Sequence, residues 1–369
     1  MKKKSPNRIK ALDFARALSV LLVFLTFVPE GPLYALYVKH AIWNGYHLID
    51  FAFPSFVTLS GTAMAIAYSK KVPWLRLVRR FLLLILIGLL FNLLVTWNFS
   101  FSTLRFTGVL QVLAVTGLLT VIITRVSGRW IWPFSAGIVI LAVYLILLIY
   151  TSRDIPGGLP IPGNNLSGML DPLIFTNNHI YAQGRMGYDP EGVCTLFSAM
   201  ASSLFGFTAG VFLKRDSIQW GFLKILALGV FLLALTVVLA HFIPINKRLW
   251  TPSFVTLTSG CSIMVLAISH LLWDTRIPVI DKISAPFYYP FDSIGRNAIL
   301  IYFGSSMLYS VVRHVNVTIH SQSVTLFQII YDWVNSWSTN PQLAFICLYT
   351  GFWVVIAMFL HWRKLYLTI

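Results

Sequence analysis

The sequence contains little acid and little cysteine. Twelve Asp and Glu residues stand against 28 Lys and Arg, giving a formal net charge of +16, although only 11% of the residues are charged. Hydrophobic residues make up 57% of the chain and the mean hydropathy is +0.77, outside the usual range of soluble domains. No polar stretch is long enough to form a basic nucleic-acid-binding domain. The composition therefore predicts a polytopic membrane protein with no nucleic-acid partner.

The scarce cysteines and several missing motifs exclude other classes. Cys194, Cys261 and Cys347 lie far apart in apolar stretches, so neither a disulfide framework nor a zinc site is indicated, and no metal is predicted. The sequence also lacks GxxxxGK[ST], GxSxG and HExxH, which argues against nucleotide hydrolysis, serine hydrolysis and zinc proteolysis. Acyl transfer and transport remain as the candidate functions.

The apolar runs predict an all-α fold. A hydrocarbon core about 30 Å thick needs about 20 mostly apolar residues per helix, and by this measure we expect about ten transmembrane helices in a single domain over residues 1–369. The spans are predicted near 12–28, 46–68, 77–97, 104–124, 131–150, 192–213, 219–243, 252–273, 295–313 and 342–361. The shorter segment 322–337 is predicted to lie along the membrane interface.

The loop charges predict the orientation. Nineteen Lys and Arg residues fall in segments on the side of the N-terminus and seven on the opposite side, so the positive-inside rule predicts that both termini are cytoplasmic. Segments 29–45, 151–191 and 244–251 then face outward. Segment 151–191 is dense in Pro, Gly and Asn, which favours a loop, but its apolar residues favour an ordered lid.

Few acids lie near the predicted spans, and their positions are informative because an ionisable group in the bilayer costs about 2.5–3.5 kcal/mol. Asp50 stands at the outer end of the second span, and Asp189 and Glu191 precede the sixth. Two interpretations of the last two stay open. They complement a helix N-terminus, worth about 0.3–1 kcal/mol, or they belong to a site.

A histidine near the second span is the sharpest candidate for chemistry. A neutral imidazole such as that of His40 can accept a proton or carry an acyl group. Asn44 could donate to a developing oxyanion, and Trp43 could form an apolar wall. The alternative is that His40 packs beside Trp43 at the interface, while His47 and Asp50 pair across one helical turn.

A basic stretch, "KKVPWLRLVRR", adds a second candidate at the opposite end of the predicted spans. Lys and Arg bind phosphates by charge-assisted hydrogen bonds, so this stretch could bind a cytoplasmic cofactor. The positive-inside rule explains the same residues without a ligand.

Six stretches together resemble the heparan-α-glucosaminide N-acetyltransferase family and its bacterial relatives. They are "RIKALDFARAL", "KHAIWNGYHLIDFAFPSF", "GVLQVLAV", "YDPEGVCT", "NKRLWTPSFVTLTSG" and "IGRNAILIY", and they follow the family order between Arg8 and Tyr302. The chain departs from the family pattern in "LTFVPEG", where Thr26 or Phe27 replaces an asparagine, and at Val112, which replaces an arginine.

The resemblance implies a transmembrane acyltransferase that passes acetyl from acetyl-CoA to an amino sugar or related glycan across the membrane. His40 matches the histidine that the family uses in catalysis, and Asp50 matches the aspartate of the same motif. The other matches, expected to bind substrate or cofactor, are Trp43, Asp189, Glu191, Asn246, Lys247, Trp250 and Asn297. The implied location is a bacterial inner membrane, and the assembly is left open between a monomer and a homodimer.

A secondary transporter is the alternative function, because charges within the membrane also mark solute pathways. It predicts Gly/Pro-interrupted spans in two matching halves, and no such repeat is visible in the sequence. It also predicts uptake without thioester cleavage.

Overall fold

The protein is described from a computed structural model, which covers residues 8–34, 38–68, 72–181, 187–275, 278–319 and 321–367. For residues 278–284 and 319 only the backbone is described. The helices are α1 Lys10–Phe24, α2 Ala52–Ala67, α3 Trp74–Thr96, α4 Val109–Thr124, α5 Ile131–Ser152, α6 Leu166–Phe175, α7 Val193–Arg215, α8 Ile218–Ala240, α9 Pro252–Trp273, α10 Pro278–Arg296, α11 Ala298–His314, α12 Leu326–Trp337 and α13 Pro341–Trp362.

Helices occupy all ten predicted spans, and the prediction of an all-α polytopic membrane protein is confirmed. Seven helical segments in the described chain are long and apolar enough to cross a bilayer: Leu48–Ala67, Trp74–Thr96, Ile131–Ser152, Val193–Arg215, Ile218–Ala240, Pro252–Trp273 and Pro341–Trp362. The other three, α1, α4 and α11, have 15, 16 and 17 residues, short of the predicted length of about 20. Their crossing of the bilayer, and the orientation of the termini, stay predictions.

Helices α2 and α7 form the tightly packed centre of the fold. A Cβ atom on Gly61 of α2 would lie 1.9 Å from the carbonyl oxygen of Ser203, and one on Gly206 of α7 would lie 1.8 Å from that of Thr58. The Thr62 hydroxyl donates to the Gly206 carbonyl at 2.9 Å. Small residues and hydroxyl hydrogen bonds of this kind hold helices together in lipid. This contact fixes α2, and with it the residues just before α2.

A second cluster of buried side chains joins α1, α11 and α13. Phe24, Ile301 and Trp353 belong to it, and it is separate from the cluster around α7, which includes Phe205 and Phe254. Helices α1, α2, α3 and α11 each contribute residues to the walls of the two cavities described below.

Residues 151–191 are more ordered than a simple surface loop. They contain α6, and Ile155, Ile180 and Tyr188 are buried, whereas residues 182–186 lie outside the described chain. The prediction of an ordered segment agrees with this burial. Its action as a lid stays a prediction.

The segment before α13 differs from the prediction of a single interfacial stretch at 322–337. Strands β1 Asn316–Ile319 and β2 Gln322–Thr325 pair in an antiparallel hairpin, and α12 follows directly. Thr325 caps α12, because its side chain accepts a hydrogen bond from the Gln328 amide. Trp333 and Trp337 are exposed on α12, as tryptophans at a membrane interface would be, and its interfacial position stays a prediction.

Candidate active site

Asp50 is positioned by a short 3₁₀ turn, Leu48–Phe51, that leads into α2. Its carboxylate is completely buried, and Oδ2 accepts a hydrogen bond from the His47 amide at 2.8 Å. The Ala41 amide lies 3.5 Å from the same oxygen. A buried carboxylate needs such partners to stay ionised, so the local backbone fixes Asp50 as an acceptor that leaves Oδ1 for other groups. The predicted pairing of the His47 and Asp50 side chains is replaced by this backbone bond.

His40 lies directly against this carboxylate. Its Nδ1 is 2.6 Å from Asp50 Oδ1, so the Nδ1–H donates to the carboxylate and leaves Nε2 as the nitrogen with a free lone pair. An aspartate that orients a histidine in this way selects the tautomer and stabilises the ring when it becomes positively charged. The interpretation of His40 as a packing residue beside Trp43 does not account for this contact.

Lys247 completes a cluster of three charged or titratable groups, although about 200 residues separate it from the other two. The loop that carries it is held beside the His40 loop, because the Gly45 amide donates to the Ile245 carbonyl at 2.7 Å. The Lys247 ammonium lies 3.1 Å from Asp50 Oδ1 and 2.9 Å from His40 Nδ1. It neutralises the carboxylate and places a positive charge beside the imidazole.

The environment favours neutral His40. Burial lowers the pKa of the imidazole below its ordinary value of 6.5, and the Lys247 charge lowers it further, while the hydrogen bond to Asp50 opposes both effects. Burial also lowers the pKa of the Lys247 ammonium, against the attraction of Asp50. The lowered pKa favours the neutral form of His40, which is the form that can accept a proton or an acyl group.

If the chain catalyses the acyl transfer expected from its sequence, we expect Lys247→Met to move the acidic limb of the kcat/KM profile to higher pH by about one unit. The substitution removes a cation that disfavours protonated His40, so the histidine pKa rises and activity is lost sooner as the pH falls. The measurement is a pH profile of thiol release from acetyl-CoA. Lys224→Met, which removes an exposed lysine paired with Asp216, should leave the limb in place. An unchanged or lowered limb in Lys247→Met would contradict the prediction.

Asp189 and Glu191 form a second charged cluster with Arg105, which the sequence reasoning treated only as one loop cation. The Arg105 guanidinium lies 2.6 Å from Asp189 and also bonds Glu191. Burial opposes the charge on Arg105, but the two acids raise the pKa of the guanidinium overall. An arginine at the start of the predicted span 104–124 was the available signal, because an ionisable group there normally has a partner.

The helix-terminus interpretation of "YDPEG" does not fit the contacts. At the start of α7 the Val193 amide donates to Asp171 Oδ1 at 2.8 Å, so Asp171 satisfies that group. Asp189 accepts instead from the Thr107 hydroxyl at 2.5 Å and the Tyr181 amide at 2.9 Å. Asp189 thus ties the loop before α4 to segment 151–191.

The remaining predicted residues near His40 support the loops. The Trp43 indole donates to the Pro160 carbonyl at 3.1 Å, which holds the His40 loop against segment 151–191. Asn44 is exposed and accepts from the Asn246 side chain at 3.2 Å. Trp250 is buried between the rings of Phe53 and Phe254.

None of Trp43, Asn44, Asn246 and Trp250 lines the cavity at His40. The apolar wall expected from Trp43 is supplied by other residues, since Trp43 reaches segment 151–191 instead. The oxyanion role of Asn44 stays a prediction. Among the described residues, no three His, Cys, Asp or Glu side chains are grouped as a metal site.

His40, Lys247 and Glu191 face a cavity of about 690 Å³. Its volume is in the range of small-molecule binding sites. Aromatic side chains form much of the remaining wall, including Phe27, Phe53, Phe56, Phe91 and Tyr302. Thr26, which stands near the asparagine of the family pattern, also lines this cavity.

A second cavity of about 330 Å³ lies farther along α2. Phe56 belongs to the walls of both cavities, and Ser60 and Met64 continue the second one along the same helix face for about 12 Å. Four guanidinium groups surround it, those of Arg8, Arg16, Arg80 and Arg296. Arg80 comes from the basic stretch considered above, whereas Arg76 and Arg79 of that stretch are exposed and lie outside the cavity wall.

Asn297 lies at this arginine-lined end and not with the His40 group. It directly follows Arg296, and its Oδ1 accepts from the Leu367 amide at 3.3 Å. Its Nδ2 is buried and has no hydrogen-bond partner among the described residues. An unpaired buried donor costs about 1–3 kcal/mol, and Asn297 itself is not part of the cavity wall, although its neighbours Arg296 and Ala298 are.

Comparisons with known proteins agree with the motifs. The family model for the heparan-alpha-glucosaminide N-acetyltransferase catalytic region matches residues 8–156. The heparan-alpha-glucosaminide N-acetyltransferase of Mus musculus shares 27% identity with this chain over 99% of the chain's length. That of Homo sapiens shares 25% identity over 98% of the chain's length. The chain spans 61% and 60% of the lengths of those two proteins. The resemblance predicted from the motifs is therefore confirmed, and this integral membrane protein is similar over nearly its whole length to heparan-α-glucosaminide N-acetyltransferases.

Proposed function

We propose that the protein is a transmembrane acyltransferase that takes acetyl from acetyl-CoA at the arginine-lined end and transfers it at His40 to an amino-sugar acceptor. The observation that carries the proposal is the pair of cavities that share Phe56 along α2. A donor and an acceptor could approach one histidine from opposite ends of the helices. The names of the relatives support acetyl as the transferred group and an amine as the acceptor. In this proposal the arginine-lined end faces the cytoplasm of a bacterial inner membrane.

The arginine-lined cavity suits the phosphates of CoA. Its four guanidinium groups have two carboxylates beside them, Asp13 and Asp292, which leaves an excess of two positive charges. Arg80 has no carboxylate within 4 Å among the described residues. Guanidinium groups bind phosphate oxygens with paired hydrogen bonds. The pantetheine arm would extend past Phe56 toward His40.

The chemistry then centres on His40 Nε2. In one route Nε2 attacks the thioester carbonyl, the C–S bond breaks and CoA leaves as a thiolate. Asp50 stabilises the acylated, positively charged imidazole, and the acceptor amine displaces the imidazole and loses a proton. In the other route Nε2 takes the amine proton while the amine attacks the thioester carbonyl directly, the C–S bond breaks, and the proton passes from His40 to the departing CoA thiolate. Both routes need neutral His40 with Nδ1 bonded to Asp50.

The decisive test is thiol release from acetyl-CoA by purified, detergent-solubilised protein, with and without glucosamine. Release that depends on the amine, with N-acetylglucosamine as product, would support transfer. If no acceptor promotes release and the reconstituted protein instead takes up solute with the thioester intact, the protein is a transporter and the proposal is wrong.

We expect Arg80→Gln to raise the KM for acetyl-CoA about 10-fold with little change in kcat, because it removes a phosphate contact worth about 1.4 kcal/mol. Acetyl-N-acetylcysteamine, a thioester without phosphates, should be used equally by the wild type and this variant. Arg129→Gln, which removes an exposed arginine outside the cavity, is the matched control. An equal rise in KM for both thioesters would show that Arg80→Gln impairs something other than phosphate binding.

A further inference from the structure

One face of α11 forms a polar wall of the His40 cavity that the proposed transfer does not use. Tyr302, Ser306, Ser310, Arg313 and His314 all line this cavity, at spacings that place them on one side of the helix. The wall runs from the aromatic contact of Tyr302 with Phe56 to the C-terminus of α11. Its last two residues, Arg313 and His314, are the ones with a basic side chain.

Arg313 is held in place by aromatic rings and not by an acid. Its guanidinium lies over the rings of Tyr309 and Phe327, with 5.7 and 5.4 Å between the guanidinium carbon and the ring centroids. Among the described residues, no carboxylate lies within 4 Å of this guanidinium. One guanidinium nitrogen donates to the Tyr309 hydroxyl at 3.5 Å. Stacking of this kind orients a guanidinium and leaves its other N–H groups for a ligand.

His314 is oriented beside it. Its ring stacks on Trp97 with centroids 5.3 Å apart and planes 4° apart. The Nδ1–H donates to the Ser310 carbonyl at 2.8 Å, so Nε2 is the remaining polar atom of the ring. In the described chain no partner contacts this Nε2. Arg313 and His314 thus each have polar side-chain atoms that form no hydrogen bond within the described chain.

The other charges of the cavity are already matched. Asp50 is paired with His40 and Lys247, and Glu191 is paired with Arg105. Arg313 is therefore the charged group on this wall for which the described residues supply no counter-ion. A guanidinium with two or more free N–H groups fits the geometry of a carboxylate, phosphate or sulfate.

We propose that Arg313 and His314 form a subsite for an oxyanion carried by the acceptor, so that the preferred acceptor is an anionic amino sugar. The inference rests on the proposed function and names the acceptor class for the same site. The four arginines at the other end of the two cavities supply the phosphate site for the donor, which leaves the α11 wall for the acceptor. Arg313 supplies the positive charge of the subsite, and His314 lines the cavity beside it.

The test compares kcat/KM for acceptors that differ in their anionic group: glucosamine, glucosamine 6-phosphate, glucosamine 1-phosphate and muramic acid, whose ether side chain carries a carboxylate. The wild type should prefer at least one anionic acceptor over glucosamine about 10-fold or more. Arg313→Gln should abolish that preference, so that the anionic acceptor and glucosamine have similar values of kcat/KM, and Arg313→Lys should restore part of it. The phosphate and carboxylate acceptors identify which oxyanion the subsite takes.

Arg153→Gln is the matched control, because Arg153 also lies over a tyrosine ring, that of Tyr150, but lies outside the cavity wall. Equal use of all four acceptors by the wild type, or an unchanged preference in Arg313→Gln, would overturn the subsite while transfer itself stands. A rise in the KM for acetyl-CoA alone in Arg313→Gln would also overturn it, because the donor would then occupy this wall. No thiol release by the wild type with any acceptor would overturn the proposed function instead.

Discussion

His40→Ala is expected to lower kcat for acetyl transfer by about 10³-fold or more. Both routes of the proposed mechanism need Nε2 of this histidine, and a positioned general base alone contributes about 10²–10⁴-fold. The measurement is amine-dependent thiol release from acetyl-CoA at saturating concentrations of both substrates. The KM for acetyl-CoA should change little, because the phosphate contacts lie at the arginine-lined end.

His241→Ala is the control for this substitution. His241 is exposed, and its Nδ1 bonds the Val237 carbonyl of its own helix, so its loss should leave kcat within about two-fold of the wild type. Full transfer activity in His40→Ala would remove His40 from the mechanism. Retained acetyl-CoA binding with lost turnover would separate chemistry from folding.

Chemical trapping can distinguish the two routes. With acetyl-CoA and no acceptor, the acyl-carrier route predicts one equivalent of thiol released in a burst and acetyl bound to His40 in the wild type. The direct route predicts no burst. His40→Ala should show no burst in either case, so this experiment tests the route and the kcat measurement tests the residue.

The sequence places His40 and Asp50 ten residues apart in one stretch that resembles a family motif, and the structure brings their side chains into contact. Their catalytic roles stay predictions. Lys247 was expected on resemblance alone, with no contact assigned. Its position against His40 depends on how the loop after α8 packs on the loop before α2, a contact between distant parts of the chain that local patterns do not encode. The same holds for Arg105 and its acids, which lie 84 and 86 residues away.

In the fold, too, features that depend on local sequence were predicted and features that depend on distant contacts were missed. Long apolar runs predicted the positions of the membrane helices, since hydropathy is a local property. Helix α10 was missed because Pro286 and Pro290 lie inside it, and proline normally ends a helix. Helix α6 was missed inside a Pro/Gly/Asn-rich segment, where the Asn165 side chain caps its start. Both helices depend on packing against the rest of the chain.

Arg105→Met is expected to destabilise the folded protein by about 3–5 kcal/mol, the cost of removing one partner from a buried ion pair. The Arg105 side chain is 17% exposed, and those of Asp189 and Glu191 are 0% and 13% exposed, so solvent screens this cluster only weakly. Without the guanidinium, two acids remain close together in a poorly solvated place. The measurement is the free energy of unfolding in mixed micelles under increasing denaturing detergent.

The triple variant Arg105→Met, Asp189→Asn, Glu191→Gln separates charge from packing. Neutral amides keep the shape of the acids, so most of the lost stability should return if the unpaired charges cause the loss. Arg153→Met, in an exposed pair with Asp154, should cost less than about 1 kcal/mol. If the triple variant is no more stable than Arg105→Met, the arginine contributes mainly by packing, for example over the Tyr181 ring 4.6 Å away. In that case the charge cluster would not be what holds segment 151–191 against the His40 cavity.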